Sequence, residues 1–192
     1  MSKKLIIGIV GETATGKNSV VENLPYNQKI SYTTRPMRIG EVNGREHWFI
    51  TDEEMDKIER EQKNKLLAWT NNNGYRYCAV SSEEDDDIMT YIINPHGIRW
   101  FKQNGSKNVD LLTIGITASL KDREERAKNR SDFNTEFYNR VQKEQQDFNL
   151  FKMNNEFDYL IYNHDLDMTI NIVSYIISEE IHKWINKEDN NG

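Results

Sequence analysis

Gly11-Glu12-Thr13-Ala14-Thr15-Gly16-Lys17 carries the clearest chemistry in the sequence. It has the spacing G-x-x-x-x-G-K, which binds phosphate when a buried strand leads in and a helix leads out. Leu5 to Val10 is a leucine and β-branched run that reads as such a strand; Lys17 to Leu24 reads as the helix, stopped by Pro25. In that context Gly11, Thr13, Ala14, Thr15, Gly16, Lys17, Asn18 and Ser19 are expected to wrap a polyphosphate with backbone N–H groups, helped by the positive end of the helix. Lys17 then reaches the β- and γ-phosphates and counters charge during transfer. The residue after the lysine is Asn18, where Ser or Thr ordinarily ligates magnesium, and Ser19 follows; either offers an oxygen to Mg2+. A glycine-rich turn that binds nothing is the alternative, against which the lysine, the spacing and the preceding strand all weigh.

A second constellation lies at Arg35 and Arg38. Two guanidinium groups three residues apart converge on one phosphate if the turn at Pro36 directs both inward, and their fork geometry suits phosphate oxygens. The alternative is a pair of solvated surface charges.

These residues need a frame. Ile88 to Ile93, Val109 to Ile116 and Phe157 to Tyr162 read as further buried strands, and helices are expected from near Pro95, over Leu120 to Asn129, Phe133 to Met153 and Met168 to Ile185. Buried strands alternating with helices indicate an α/β domain with a mostly parallel sheet. Lys29 to Tyr32, Glu46 to Ile50, Lys65 to Thr70 and Tyr75 to Val80 are shorter and polar-flanked, with a turn at Asn71-Asn72-Asn73-Gly74 and a helix capped by Thr51 or Asp52. The expected organisation is one domain over 1–192: a core of about 1–28 and 88–187, with a small lobe of about 29–87 inserted into it.

The bulk numbers agree with a compact domain. Of 192 residues, 36% are hydrophobic and 29% charged, enough apolar content for a core under a polar surface. The net charge of −6 argues against a nucleic-acid polymer as partner. No apolar run is long enough for a membrane span, and the single cysteine, Cys78, has no disulfide partner within the chain, so a cytoplasmic protein is expected.

The stretch Ser31-Tyr32-Thr33-Thr34-Arg35-Pro36-Met37-Arg38-Ile39-Gly40-Glu41-Val42-Asn43-Gly44 resembles the nucleotide-binding signature of the guanylate kinase family. The similarity continues through Leu66-Leu67-Ala68-Trp69, Gly74 and Tyr77, a segment bearing Arg126, Arg130 and Arg140, and Phe157-Asp158-Tyr159-Leu160-Ile161-Tyr162-Asn163-His164-Asp165-Leu166-Asp167, in family order over about residues 5–185. The resemblance implies a P-loop core with a helical lid over about 121–140, ATP as donor with Mg2+, and a small nucleotide as acceptor. It implies that Arg35, Arg38 and Tyr77 hold the acceptor's phosphate, with Ser31 and Glu41 beside it. His47 stands where the family has a phosphate-contacting tyrosine. Arg126, Arg130 and Arg140 would close over the phosphates as catalytic cations with Lys17, and Asn163 would lie near the adenine.

The pattern breaks where the family reads the base. Ala68 replaces a glutamate, Ala79 a Ser or Thr, and Asn94 an aspartate. A site that loses buried polar partners loses discrimination. GMP or dGMP is the first expectation by resemblance, with a changed or relaxed base. Ribose 1,5-bisphosphate kinases share a similar Gly16-Lys17-Asn18-Ser19 loop end, Ala68-Trp69 and Asn94, so a sugar-phosphate kinase is one alternative. Another deoxynucleoside monophosphate kinase is a second, and a non-catalytic binding module a third.

Overall fold

The computed structural model describes residues 3–38, 40–72, 74–128 and 135–189. In chain order its elements are β1 (Lys4–Val10), α1 (Lys17–Glu22), β2 (Gln28–Lys29), β3 (Tyr32–Thr33), β4 (Trp48–Phe49), α2 (Asp52–Glu61), β5 (Leu66–Asn72), β6 (Tyr75–Val80), β7 (Ile88–Ile92), α3 (Pro95–Asn104), β8 (Val109–Thr117), α4 (Leu120–Lys128), α5 (Thr135–Met153), β9 (Tyr159–Tyr162) and α6 (Leu166–Asp189). A five-stranded sheet runs in the order β2-β7-β1-β8-β9, and its β2–β7 and β8–β9 pairs are parallel. This is the α/β architecture that the alternation of buried runs and helices predicts. Among the described residues no helix is long and apolar enough to cross a membrane.

The chain divides into two compact units, Met1–Gly8 with Tyr26–Leu112, and Ile9–Pro25 with Thr113–Gly192. The first holds a four-stranded sheet, β4-β3-β6-β5, whose β5–β6 hairpin is antiparallel. Helix α2 covers one face of it. Thr51 caps that helix reciprocally with Glu54, and Met55 buries itself against Leu66, Cys78 and Val80. Cys78 is filler there, its Sγ 3.4 Å from Met55 Sδ, and burial pushes its thiol up to about 12. In the second unit α1 packs on α6 and β8 pairs with β9.

Three expectations are revised. Lys29 to Tyr32 is not one strand: β2 ends at Lys29 in the larger sheet and β3 begins at Tyr32 in the smaller one, because the chain changes sheets at Ile30-Ser31. β9 is not buried on both faces, since it is an edge strand with Leu160 and Tyr162 exposed. The last helix begins two residues before Met168 and runs on to Asp189, four residues past Ile185.

Candidate active site

Backbone geometry explains both glycines of the phosphate loop. A Cβ on Gly11 would lie 2.2 Å from the Ile116 carbonyl oxygen, so any side chain there would push the loop off β8. Gly16 has φ 96°, and its missing Cβ would fall 2.5 Å from Asn163 Nδ2. A left-handed backbone and a close neighbour thus both demand glycine.

The turn is tied down from below. Asn163, 1% exposed, donates Nδ2 to the Thr15 carbonyl at 2.8 Å. Arg126 donates Nη1 to the same carbonyl at 3.1 Å and Nη2 to the Asn163 carbonyl at 2.8 Å. Thr169 Oγ1 donates to Asn163 Oδ1 at 3.2 Å. The structure therefore places Asn163 and Arg126 against the loop itself. Arg140 lies half-buried on α5, and Arg130 lies outside the described residues. Asn18 is exposed and Ser19 half-buried at the start of α1.

Lys17 Nζ donates to the Glu12 carbonyl at 2.8 Å. The Thr13 N–H donates to Glu144 Oε2 on α5 at 2.7 Å, so a carboxylate takes a loop amide that an incoming anion would otherwise use. Removing that charge favours the anion. Glu144→Gln is expected to tighten binding of a non-hydrolysable nucleoside triphosphate analogue roughly fivefold, about 1 kcal/mol, as read by calorimetry.

Sequence reasoning missed Arg123, although it is 4% exposed against the loop. The run Lys121 to Lys128 is charged almost throughout, which hides the buried position. The available signal was its i,i+4 relation to Ala127, which is also buried.

The first unit gathers Ser31, Arg35, Arg38, Glu41, His47 and Tyr77. Arg35 makes a bidentate pair with Glu41 at 2.8 and 2.9 Å and lies with its guanidinium carbon 5.3 Å from the Phe49 ring centroid. The Arg38 N–H donates to Glu41 Oε2 at 2.7 Å; its side chain is exposed. Ser31 Oγ and His47 Nδ1 are 2.8 Å apart, and the His47 and Tyr77 rings meet edge to face at 5.6 Å. Burial alone would raise the Glu41 carboxyl, but hydrogen bonds from Arg35 and the Arg38 amide and the charges of both arginines hold it below its ordinary range.

Burial, then the charge of Arg35, drives His47 down to about 4, so the ring is neutral at pH 7. An unfolded histidine takes up a proton near pH 6.5, whereas the folded one waits until about 4. Stability therefore falls as pH drops through that window, by about 3 kcal/mol. His47→Gln is expected to remove this part of the slope in urea unfolding measured from pH 7 to 4. The depressed Glu41 carboxyl adds a separate loss as pH falls below 4.5 toward its folded value.

The pleat resolves the positions where a base would be read. Ala68 is directly opposite Ala79, and Thr70 is opposite Tyr77, which also faces Thr33 on β3. Opposed residues in an antiparallel pair share a face. The alanine pair, 3% and 0% exposed, thus lies on the Tyr77 face, and Thr33 and Thr70 bring buried hydroxyls to it. Trp69 and Cys78 take the opposite face, toward α2. Asn94 is engaged elsewhere: its Oδ1 accepts from the Gly97 N–H at 2.7 Å and caps α3.

A family model described as guanylate kinase matches residues 2–180. The guanylate kinase of Rickettsia typhi is 30% identical, with 93% of this chain and 92% of that protein covered. That of Synechocystis is also 30% identical, over 93% and 95%. Among solved structures, guanylate kinase from Anaplasma phagocytophilum matches with a TM-score of 0.68 at 20% identity, covering 93% of this chain and 87% of that one, so the P-loop fold is shared.

Proposed function

This chain belongs to the guanylate kinase family and is a nucleoside monophosphate kinase; from that premise we propose that it moves the γ-phosphoryl group of ATP to GMP or dGMP while reading the base loosely. The observation that supports this reading is the cluster of Arg35, Glu41, His47 and Tyr77, read as the grip on the acceptor's phosphate, with Tyr77 on a sheet face that continues into the Ala68–Ala79 pair. The grip has polar partners. The adjoining wall offers methyl groups and threonine hydroxyls in place of a carboxylate. A hydroxyl donates or accepts, so it discriminates weakly between base edges.

An oxygen of the acceptor phosphate attacks the γ-phosphorus in line, and the bond to the β–γ bridging oxygen breaks, giving ADP and a nucleoside diphosphate. The loop amides and Lys17 hold the donor; Arg35, Arg38 and Tyr77 hold the acceptor; Arg126, Arg130 and Arg140 neutralise charge on the group in transit. No general base is needed, because the acceptor phosphate is already anionic at neutral pH. Asn18 and Ser19 present hard oxygen donors that suit Mg2+. Among the described residues no group of three His, Cys, Asp or Glu side chains could hold a metal, so Asn18 or Ser19 would hold it together with the donor's phosphates. The ion would supply charge neutralisation there.

The test is a coupled ADP-release assay across GMP, dGMP, dTMP, the other monophosphates and ribose 1,5-bisphosphate. The expected result is turnover with GMP or dGMP and less than about 100-fold preference over at least one other nucleotide. Turnover with ribose 1,5-bisphosphate alone would establish the second reading, a sugar-phosphate kinase, which Ala68 and Asn94 favour. No turnover with any acceptor would leave a binding module.

A further inference from the structure

The phosphate loop carries an acidic residue directly after its first glycine. Glu12 is 8% exposed, and a carboxylate so placed opposes any polyphosphate the loop receives. Two cations from different helices answer it. From α4, Arg123 Nη1 donates to Glu12 Oε1 at 3.1 Å; from α5, Lys152 Nζ donates to Oε2 at 2.9 Å and also reaches Thr117 Oγ1 at 3.2 Å. Arg123 does more than pair, because its Nε donates to the Thr13 carbonyl at 2.8 Å. Thr13 is therefore held at both polar backbone groups, by Arg123 at its oxygen and by Glu144 at its nitrogen. The third guanidinium nitrogen, Arg123 Nη2, is buried and has no hydrogen-bond partner among the described residues. A buried donor left over carries a desolvation penalty in the resting fold, which suits a site kept electropositive for an anion better than one built for stability alone.

We propose that Arg123 is a positioning residue for the donor nucleotide: with Lys152 it masks the charge of Glu12, and it pins Thr13 so that the loop amides face the polyphosphate. This rests on the kinase reading above. Arg123 acts through the loop, so its removal affects the donor and spares the acceptor.

The test compares wild type, Arg123→Gln, Arg123→Lys and the double variant Glu12→Gln/Arg123→Gln. Binding of a non-hydrolysable ATP analogue is measured by calorimetry, with kcat and both KM values by ADP release. Arg123→Gln unmasks Glu12 and is expected to weaken analogue binding and raise the ATP KM by about tenfold or more, with the acceptor KM within about twofold. Arg123→Lys restores the charge but not the hold on Thr13, and should fall between the two. The double variant carries no unmasked carboxylate and should recover to within about threefold of wild type. A residue serving only the fold would shift both substrates together and leave the ratio of the two KM values unchanged. Wild-type analogue affinity in Arg123→Gln, or a double variant weaker than Arg123→Gln, overturns the proposal. Should Arg123→Gln fail to fold, the double variant decides alone: affinity tenfold below wild type refutes the masking. A wild-type chain that binds no analogue sinks the kinase reading and this inference with it, whereas wild-type binding with an unaffected Arg123→Gln sinks only this inference.

Discussion

Lys17→Ala is expected to lower kcat roughly a thousandfold, about 4 kcal/mol of transition-state stabilisation, while the melting temperature stays within a few degrees of wild type. The two effects separate for a structural reason. The Lys17 ammonium donates to the Glu12 carbonyl, which also accepts from Thr15 Oγ1 at 2.9 Å and from the Thr15 N–H at 3.3 Å. Losing the ammonium therefore leaves the Glu12 carbonyl with both Thr15 donors, and the fold gives up little. The transition state gives up much, because the γ-phosphoryl group carries its charge on oxygens that only a mobile cation can follow through transfer. Steady-state kinetics with the acceptor that wild type prefers, together with a thermal melt, make the comparison. A Lys17→Ala chain that turns over at the wild-type rate would remove the loop from the chemistry.

Arg35→Ala should act on both function and fold. The Arg35 and Glu41 side chains are 8% and 16% exposed and exchange two hydrogen bonds. Truncating the arginine strands a desolvated carboxylate that keeps the Arg38 amide as a donor. Breaking a buried pair in this way costs about 3 kcal/mol, which for a chain of this size is a fall of roughly 6–12 °C in Tm. The guanidinium is also the proposed fork for the acceptor's phosphate, so the acceptor KM is expected to rise about 100-fold while the ATP KM moves little. Arg35→Lys should recover part of the stability and little of the KM, because a single ammonium cannot make both bonds to Glu41 and still present a planar fork. An acceptor KM unchanged in Arg35→Ala would assign the pair to structure alone.

The features legible in the sequence are those written in short-range spacing. The strand from Leu5 to Val10, the glycines at 11 and 16, and the helix after Lys17 form one uninterrupted stretch, so their pattern names both the loop and its ligand. Arg35 and Arg38 are likewise close enough along the chain to be read as a pair, and the capped helix after Thr51 announces its own start. Tertiary structure alone decided the rest. That Ala68 faces Ala79 and shares a side with Tyr77 depends on strand register, where a shift by one residue would turn every side chain to the opposite face. That Glu12 meets Arg123 and Lys152 depends on bringing together positions 111 and 140 residues apart, which no local pattern encodes. Leu160 and Tyr162 belong to an apolar run yet remain exposed, because β9 lies at the sheet's edge and edges are set by the order of strands, not by their composition. Local chemistry thus specifies which phosphate-binding parts exist. Their partners, and the electrostatics that make them usable, follow from contacts between residues far apart in the chain.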